Sequence, residues 1–169
     1  MLEGLQGGFL DPFANVSLTD AAMRMFAAIL LGGCIGLERE RKGKSAGLRT
    51  NIMVSLAACL FTLIAFDLLS VPASEDDMIK LDPLRLIEAV TSGVAFLAAG
   101  LIFVDGGRAR GLTTGAGMWL AGAVGLACGV GNVILAAMAC AMAVTVLFGL
   151  GVLESRAMGD DHENSSEDD

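Results

Sequence analysis

Residues 111–153 read GLTTGAGMWLAGAVGLACGVGNVILAAMACAMAVTVLFGLGVL and include no charged side chain. The hydrocarbon core of a lipid bilayer requires about 20 consecutive apolar residues for each helical crossing. The stretch is long enough for two crossings, and Gly129-Val130-Gly131-Asn132 near its middle favours a turn. It therefore predicts two membrane helices joined by a tight turn, and the chain is expected to be an integral membrane protein.

The rest of the chain has the composition of a membrane domain. Of its 169 residues, 54% are hydrophobic and 22 are glycine. We predict an all-α bundle of five transmembrane helices in one domain over residues 18–153, after an outer segment at 1–17. The helices are expected at 18–37, 51–69, 86–104, 113–130 and 132–153. Arg24 interrupts the first, where it can pair with Asp20 one turn earlier or extend toward the interface.

Basic residues in the short loops predict the orientation of the bundle, because cytoplasmic loops carry an excess of Lys and Arg. The loop at 38–50 contains five basic residues, and the loop after the third span contains Arg108 and Arg110. The connection between the second and third spans is instead rich in Asp and Glu. We therefore expect both basic loops in the cytoplasm, the N-terminus outside and the C-terminus inside.

The last 16 residues, ESRAMGDDHENSSEDD (154–169), hold seven of the 19 carboxylates in the chain. A segment this short and this charged cannot bury an apolar face. It is therefore predicted to be a disordered, acidic cytoplasmic tail.

Several glycines are spaced four residues apart within the spans. Helices in lipid gain no hydrophobic drive toward one another, so small residues that allow close backbone approach mark their contacts. The glycines expected to pack helices together are Gly32, Gly36, Gly111, Gly115, Gly125 and Gly129.

The first candidate functional loop is the basic segment 38–50. If the first helix continues inward, Glu38 faces Lys42 and Glu40 faces Lys44 at i,i+4 spacing. Positive charges that set topology explain the basic residues but not the carboxylates between them. The alternation of charge at the membrane surface therefore suggests defined partners for Glu38 and Glu40.

The second candidate is the segment Asp105–Thr114. Gly106-Gly107 permits a tight turn, and Thr113 or Thr114 is a plausible N-cap for the next helix. A helix N-terminus beside two arginines favours anions, while an ordinary cytoplasmic turn is the alternative. Asp105 is expected to pair with Arg49 or Arg108.

Two further classes of site have little support in the sequence. The connection between the second and third spans contains four carboxylates, Glu75, Asp76, Asp77 and Asp82. It is expected to be a solvated loop, and a weak divalent-cation site on these carboxylates is the alternative. The middle of each span lacks carboxylates, which disfavours a conventional cation pathway. The chain also lacks a P-loop, a HExxH motif, a nucleophile elbow and a Cys/His zinc pattern. No enzymatic activity, cofactor or nucleic-acid partner is therefore expected.

The two loops resemble those of the MgtC/SapB family of bacterial inner-membrane proteins. The first motif comprises Gly36–Glu40 (GLERE) and Ala46–Thr50 (AGLRT), and the second is Arg110–Thr114 (RGLTT). The similarity covers most of residues 20–150 and also includes Phe96–Gly100, Trp119 and Gly122–Gly125. The resemblance implies a multi-pass protein of the bacterial inner membrane.

The resemblance also implies a role in growth under magnesium limitation and, in pathogens, in survival inside macrophages. Better-studied members of the family look like regulators of other membrane proteins, including the F-type ATP synthase and cation or phosphate uptake systems. Many members carry a soluble cytoplasmic C-terminal domain, and this chain is similar to the short form without it.

Our leading hypothesis is a non-enzymatic membrane protein whose cytoplasmic loops contact and modulate a partner membrane protein in the lipid bilayer. The contact or its support is assigned to Glu38, Arg39, Arg41, Arg49, Thr50, Asp105, Arg110, Thr113 and Thr114. The alternative is a small transporter or channel for Mg²⁺ or another ion, assembled as a homo-oligomer through the glycine faces. If the loops instead only hold the bundle together, Arg49→Ala would lower the abundance of the protein in the membrane.

Overall fold

A computed structural model describes residues 16–70 and 83–163 of the chain. Residues 1–15 of the predicted outer segment and the acidic connection from Glu75 to Asp82 lie outside the described residues. The described part forms five helices and one hairpin: α1 (Leu18–Arg41), α2 (Leu48–Ser70), α3 (Pro83–Ala99), β1 (Phe103–Asp105), β2 (Arg108–Arg110), α4 (Leu112–Val130) and α5 (Val133–Glu163).

The helices confirm the predicted all-α membrane bundle. Three of them are long and apolar enough to cross a membrane: α1, the Leu48–Leu68 part of α2, and α4. The Val133–Gly149 part of α5 is apolar but shorter, and α3 has 17 residues. Large apolar side chains such as Phe26, Phe96 and Ile134 are exposed on the outside of the bundle, as expected for a surface in contact with lipid.

The core forms where α1, α2 and α4 meet through glycines. A Cβ atom placed on Gly36 of α1 would lie 2.7 Å from Leu48 Cα of α2, and one on Gly32 would lie 2.7 Å from Ser55 Cβ. From the other side, a Cβ on Gly129 would lie 2.8 Å from the Cys59 carbonyl oxygen, and one on Gly125 would overlap the Ser55 carbonyl. These glycines therefore allow two helices to approach the same α2 backbone.

The two remaining helices pack on the outside of this core. The helix α3 lies against α4, where a Cβ on Gly115 would be 3.3 Å from Ala98 Cβ. The helix α5 lies against α1, and the Cys140 thiol of α5 donates to the Leu31 carbonyl at 3.4 Å. The contact between α3 and α2 is slight, which leaves an apolar groove between them.

Contacts between α1 and α4 show which loops share an end of the bundle. Arg39, near the end of α1, packs against Gly117 of α4, whereas Arg24, near the start of α1, bonds to Gly129. The two helices are therefore antiparallel, and residues 38–50 lie at the same end as residues 100–111. We call this end the basic end, and it also contains Leu147 of α5, whose carbonyl accepts a hydrogen bond from Lys42.

The predicted third span is wrong at its inner end. The helix α3 stops at Ala99 instead of 104, and Phe103–Asp105 pairs with Arg108–Arg110 as an antiparallel hairpin. Gly106 and Gly107 form its turn with φ values of +57° and +79°, a backbone conformation that glycine adopts without strain. Two consecutive glycines also disfavour continued helix, because glycine has low helix propensity.

The helix α5 also differs from the prediction, because it continues to Glu163 and does not end near Leu153. The first ten residues of the segment predicted as a disordered tail are therefore helical. Leu153 to Met158 are mostly residues with high helix propensity, so the backbone hydrogen bonds continue past the apolar stretch. Residues 164–169 lie outside the described part of the chain.

Candidate functional site at the basic end

A buried ion cluster lies at the end of α1. Glu38 and Arg39 are only 2% and 3% exposed, and the Arg39 Nε donates to the Glu38 carboxylate. The second carboxylate oxygen of Glu38 lies 2.7 Å from the Lys42 Nζ, so the pair predicted at i,i+4 spacing forms. A buried carboxylate loses its hydration and needs such partners to remain charged.

Lys42 connects this cluster to α5. Its ammonium group donates to the Leu147 carbonyl at 2.8 Å and lies 5.8 Å from the centre of the Phe148 ring. One side chain therefore neutralises Glu38, satisfies a backbone acceptor and interacts with an aromatic face. This joins the last turn of α1 to α5 at the basic end.

Arg39 lies between α1 and α4. Its Cδ atom would be 3.9 Å from a Cβ placed on Gly117, so the absence of a side chain there makes room for the arginine stem. Because Glu38 and Arg39 are both buried, they cannot form an exposed contact with a partner. The sequence predicts a role for Glu38 and Arg39 either in the partner contact or in its support. Their burial is compatible with support of the surface and not with direct contact.

Glu40 caps α2. Its Oε2 accepts a hydrogen bond from the Leu48 backbone N–H at 2.9 Å, so a carboxylate lies at the positive N-terminus of α2. The predicted pair of Glu40 with Lys44 is wrong, because α1 ends at Arg41 and Lys44 is beyond the helical spacing. A side chain on Gly47 would overlap the Glu40 carboxylate, so this glycine is required for the cap.

Asn51 holds the loop between α1 and α2. It is fully buried, and its Nδ2 donates to the carbonyls of Gly47 at 2.8 Å and Ala46 at 3.2 Å. Its Oδ1 is buried without a hydrogen-bond partner. Sequence reasoning missed this role, although an isolated amide one turn into an apolar helix is a usable signal, since a buried amide needs partners.

The hairpin projects at the basic end with every residue exposed. Its register pairs Phe103 with Arg110 and Asp105 with Arg108, which places these four side chains on one face. Asp105 forms an ion pair with Arg110 at 3.3 Å, and both side chains are more than 60% exposed. The prediction that Asp105 pairs with Arg49 or Arg108 is therefore wrong, because the twist of the hairpin favours the diagonal partner.

The threonines expected to cap α4 do not do so. The N-cap is Gly111, at φ +85°, and it makes no side-chain capping bond. A Cβ on Gly111 would overlap the Leu101 carbonyl, so this glycine serves a tight turn and not a helix–helix contact. Thr113 is exposed, whereas Thr114 is 4% exposed.

The exposed charged residues of the basic end are mainly cationic. Thr50 is half-buried, and the exposed cations are Arg41, Lys42, Lys44, Arg49, Arg108 and Arg110. Among the described residues, no group of three or more His, Cys, Asp or Glu side chains could hold a metal ion. The chemistry that this surface can supply is electrostatic attraction of anionic groups.

A second polar contact, at the opposite end, fastens α1 to α4. Arg24 pairs with Asp20 at 2.6 Å, as predicted, and its Nη1 donates to the Gly129 carbonyl at 2.9 Å. A cation at the C-terminus of α4 interacts favourably with the helix dipole. Sequence reasoning predicted the pair with Asp20 but missed the contact with α4.

Comparison with known proteins shows the family of the chain. The model of the MgtC family matches residues 25–156. The chain belongs to the MgtC family. It is 39% identical to "Protein MgtC" of Brucella abortus (strain 2308) over 129 residues, which are 76% of this chain and 50% of that protein. It is a membrane protein, and the resemblance of its two loop motifs to this family is confirmed.

Two other relatives show the same pattern. The chain is 36% identical over 129 residues to "Putative magnesium transporter YhiD" of Escherichia coli (strain K12), covering 74% of this chain and 58% of that protein. It is 38% identical over 120 residues to an uncharacterized protein of Haemophilus influenzae, covering 70% of this chain and 50% of that protein. The chain thus spans about half the length of the curated relatives it matches, and no solved structure matches it.

Proposed function

We propose that this chain is a non-enzymatic, multi-pass protein of the bacterial inner membrane that binds and modulates another membrane protein during adaptation to low magnesium. In this proposal the basic end faces the cytoplasm and supplies the contact. The name of the YhiD relative and the family membership support the link to magnesium. The partner contact is inferred from the geometry of the basic end.

The observation that carries this proposal is a set of exposed cations on a rigid support. Arg41, Arg49 and Arg110 are exposed, while the residues beneath them are held by Glu40, Asn51 and the buried Glu38–Arg39 pair. Charged groups that are presented by a rigid scaffold bind a complementary surface without a large ordering cost. A partner with an acidic surface would meet these requirements.

The packing of the bundle supports modulation over transport through a single copy. Glycines bring α1 and α4 to within contact distance of the α2 backbone, so little space remains along their shared axis. The hydroxyls buried there are satisfied locally, with Ser55 donating to the Ala28 carbonyl at 2.9 Å and Thr62 to the Ala58 carbonyl at 2.8 Å. Neither arrangement offers a hydrated ion a set of ligands.

Transport of Mg²⁺ or another ion is the second candidate, and the name of the YhiD relative favours it. Reconstitution of the full chain into liposomes with an enclosed Mg²⁺ indicator separates the two functions. Modulation predicts no flux above that of empty liposomes. Sustained Mg²⁺ entry that depends on the protein would overturn the modulator proposal.

Capture of partners from solubilised membranes tests the contact itself, with F-type ATP synthase subunits as the first candidates to score. We expect Arg49→Ala and Arg110→Ala to weaken capture, because each removes an exposed cation from the basic end. Arg85→Ala is the matched control, since Arg85 is an exposed arginine at the start of α3, on the opposite end.

Membrane abundance must be measured in the same cells. Arg49 is exposed and makes no ion pair among the described residues, so its replacement is expected to leave abundance unchanged. Reduced abundance of Arg49→Ala with unchanged capture per molecule would instead assign the loop to stabilisation of the bundle.

A further inference from the structure

An apolar groove runs between α2 and α3. It has a volume of about 480 Å³, and its walls include Val54, Ala58 and Phe61 of α2 and Val90, Gly93 and Val94 of α3. Gly122 of α4 lies close to both walls, because a Cβ there would lie 3.0 Å from Val94 and 3.7 Å from Val54. The groove exists because α3 packs on α4 and barely contacts α2.

The dimensions of the groove fit a single hydrocarbon chain. Its α2 wall extends from Val54 to Leu68, about 21 Å at 1.5 Å per residue. One leaflet of a hydrocarbon core about 30 Å thick spans about 15 Å, so the groove is long enough to hold one acyl chain along the leaflet.

The groove opens toward lipid. Phe61 and Leu97 on its two walls are 57% and 52% exposed, and both belong to the apolar outer surface of the bundle. Its lining residues are Val, Ala, Leu, Ile, Phe and Gly throughout. A lipid chain that enters the groove thus replaces only apolar contacts, whereas a polar ligand would lose its hydration.

Charge at the basic end of the groove favours an anionic headgroup. Arg49 lies in the first turn of α2, five residues before Val54, and the hairpin that follows α3 carries Arg108 and Arg110. Each helix that forms a wall is therefore joined to exposed arginines at this end. At the opposite end of the two wall helices, the charged residues are Asp67 of α2 and Arg85 and Glu88 of α3.

We propose that the groove between α2 and α3 binds one acyl chain of an anionic phospholipid whose phosphate group interacts with Arg49 and the hairpin arginines. The chain supplies apolar contact along the bilayer, and the phosphate supplies the charge that the basic end attracts. The acyl-chain site is separate from the partner contact proposed above, because its walls lie within the membrane-facing part of the bundle, whereas Arg49 and Arg110 belong to both sites.

Photolabelling of the full chain in nanodiscs tests this site. The probe is phosphatidylglycerol with a photoactivatable group on one acyl chain, and labelled peptides are identified by mass spectrometry. Gly93→Leu fills the groove, and its added Cβ would meet no atom within 4 Å, so the fold is expected to tolerate it. Gly149→Leu on α5 is the matched control, because that position is equally open but lies off the groove.

Peptides that contain Ala57, Ala89 or Gly93 are expected to carry the label, and Gly93→Leu should reduce it about tenfold. The leucine side chain fills the space that the acyl chain would occupy, and a tenfold loss corresponds to ~1.4 kcal/mol. Ala57→Leu on the opposite wall should have the same effect, while Gly149→Leu should leave the label unchanged. The combined Arg49→Gln and Arg110→Gln variant should lower labelling by phosphatidylglycerol but not by phosphatidylcholine, and Arg85→Gln should change neither.

Label that is spread evenly over all lipid-facing helices would overturn the proposal, since it would indicate only the general lipid surroundings. Groove labelling that survives both leucine variants would overturn it as well. If the leucine variants instead dissociate a dimer of the chain without any change in label, the groove belongs to an interface between copies. If the double arginine variant lowers labelling by phosphatidylglycerol and by phosphatidylcholine equally, the proposed interaction of the phosphate group with these arginines is refuted.

Discussion

Replacing Gly125 with alanine tests the contact between α4 and α2, and replacing Gly117 with alanine provides a control on the same helix. Both changes add one methyl group and both gain helix propensity, by about 1 kcal/mol. The new Cβ at position 125 would overlap the Ser55 carbonyl, with the Ser55 Cα 2.9 Å away. At position 117 the nearest atom is the Arg39 Cδ at 3.9 Å, which is an ordinary contact.

The magnitudes follow from these distances. The atoms nearest to a Cβ at position 125 belong to the α2 backbone at Ser55, so they cannot rotate away. The helix α4 must therefore move away from α2 or bend, and such overpacking costs about 1–3 kcal/mol. This movement of α4 also loosens its contact at Gly129, a position where an added Cβ would lie only 2.5 Å from Thr62 Cβ. We therefore expect Gly125→Ala to lower the free energy of unfolding by up to about 2 kcal/mol and Gly117→Ala to raise it by up to about 1 kcal/mol.

The measurement is reversible unfolding in mixed micelles, with the sole tryptophan, Trp119, as the fluorescent probe. The two alanine variants should shift the transition in opposite directions while circular dichroism shows unchanged helix content. If Gly125→Ala is as stable as Gly117→Ala, the helices are farther apart than the structure places them, and the argument from close backbone approach fails.

Three further variants test the polar contacts. Glu38→Gln leaves Arg39 buried without a counter-charge, which typically costs about 3–5 kcal/mol; the folded fraction in membranes should fall, and Glu38→Gln combined with Arg39→Met should recover much of it. Asn51→Ala removes two hydrogen bonds to the loop carbonyls, a loss of about 1–3 kcal/mol, so limited proteolysis should cleave residues 42–47 faster; an unchanged rate would refute this role. Arg24→Met should speed hydrogen exchange at the last turn of α4, because the Gly129 carbonyl loses its donor, while exchange at the start of that helix stays constant.

Features that depend on local sequence were predictable. The charge-free stretch at 111–153 indicated two membrane helices, and the spacing of Asp20 with Arg24 and of Glu38 with Lys42 indicated their ion pairs. The glycine pairs indicated where helices approach closely, although Gly111 serves a turn instead. Each of these signals lies within one helical segment, so it can be recognised from local spacing and composition without knowing which other helix packs against that segment.

The sequence by itself therefore determined the class of protein, the number of helices and the segments that carry positive charge, because hydrophobicity and charge are properties of neighbouring residues. Only the tertiary structure decided that Glu38 and Arg39 are buried, that Lys42 reaches Leu147 across 105 positions of sequence, and that α3 leaves a groove beside α2. These features depend on which distant backbones meet and how closely, and that choice is made by the packing of the whole bundle.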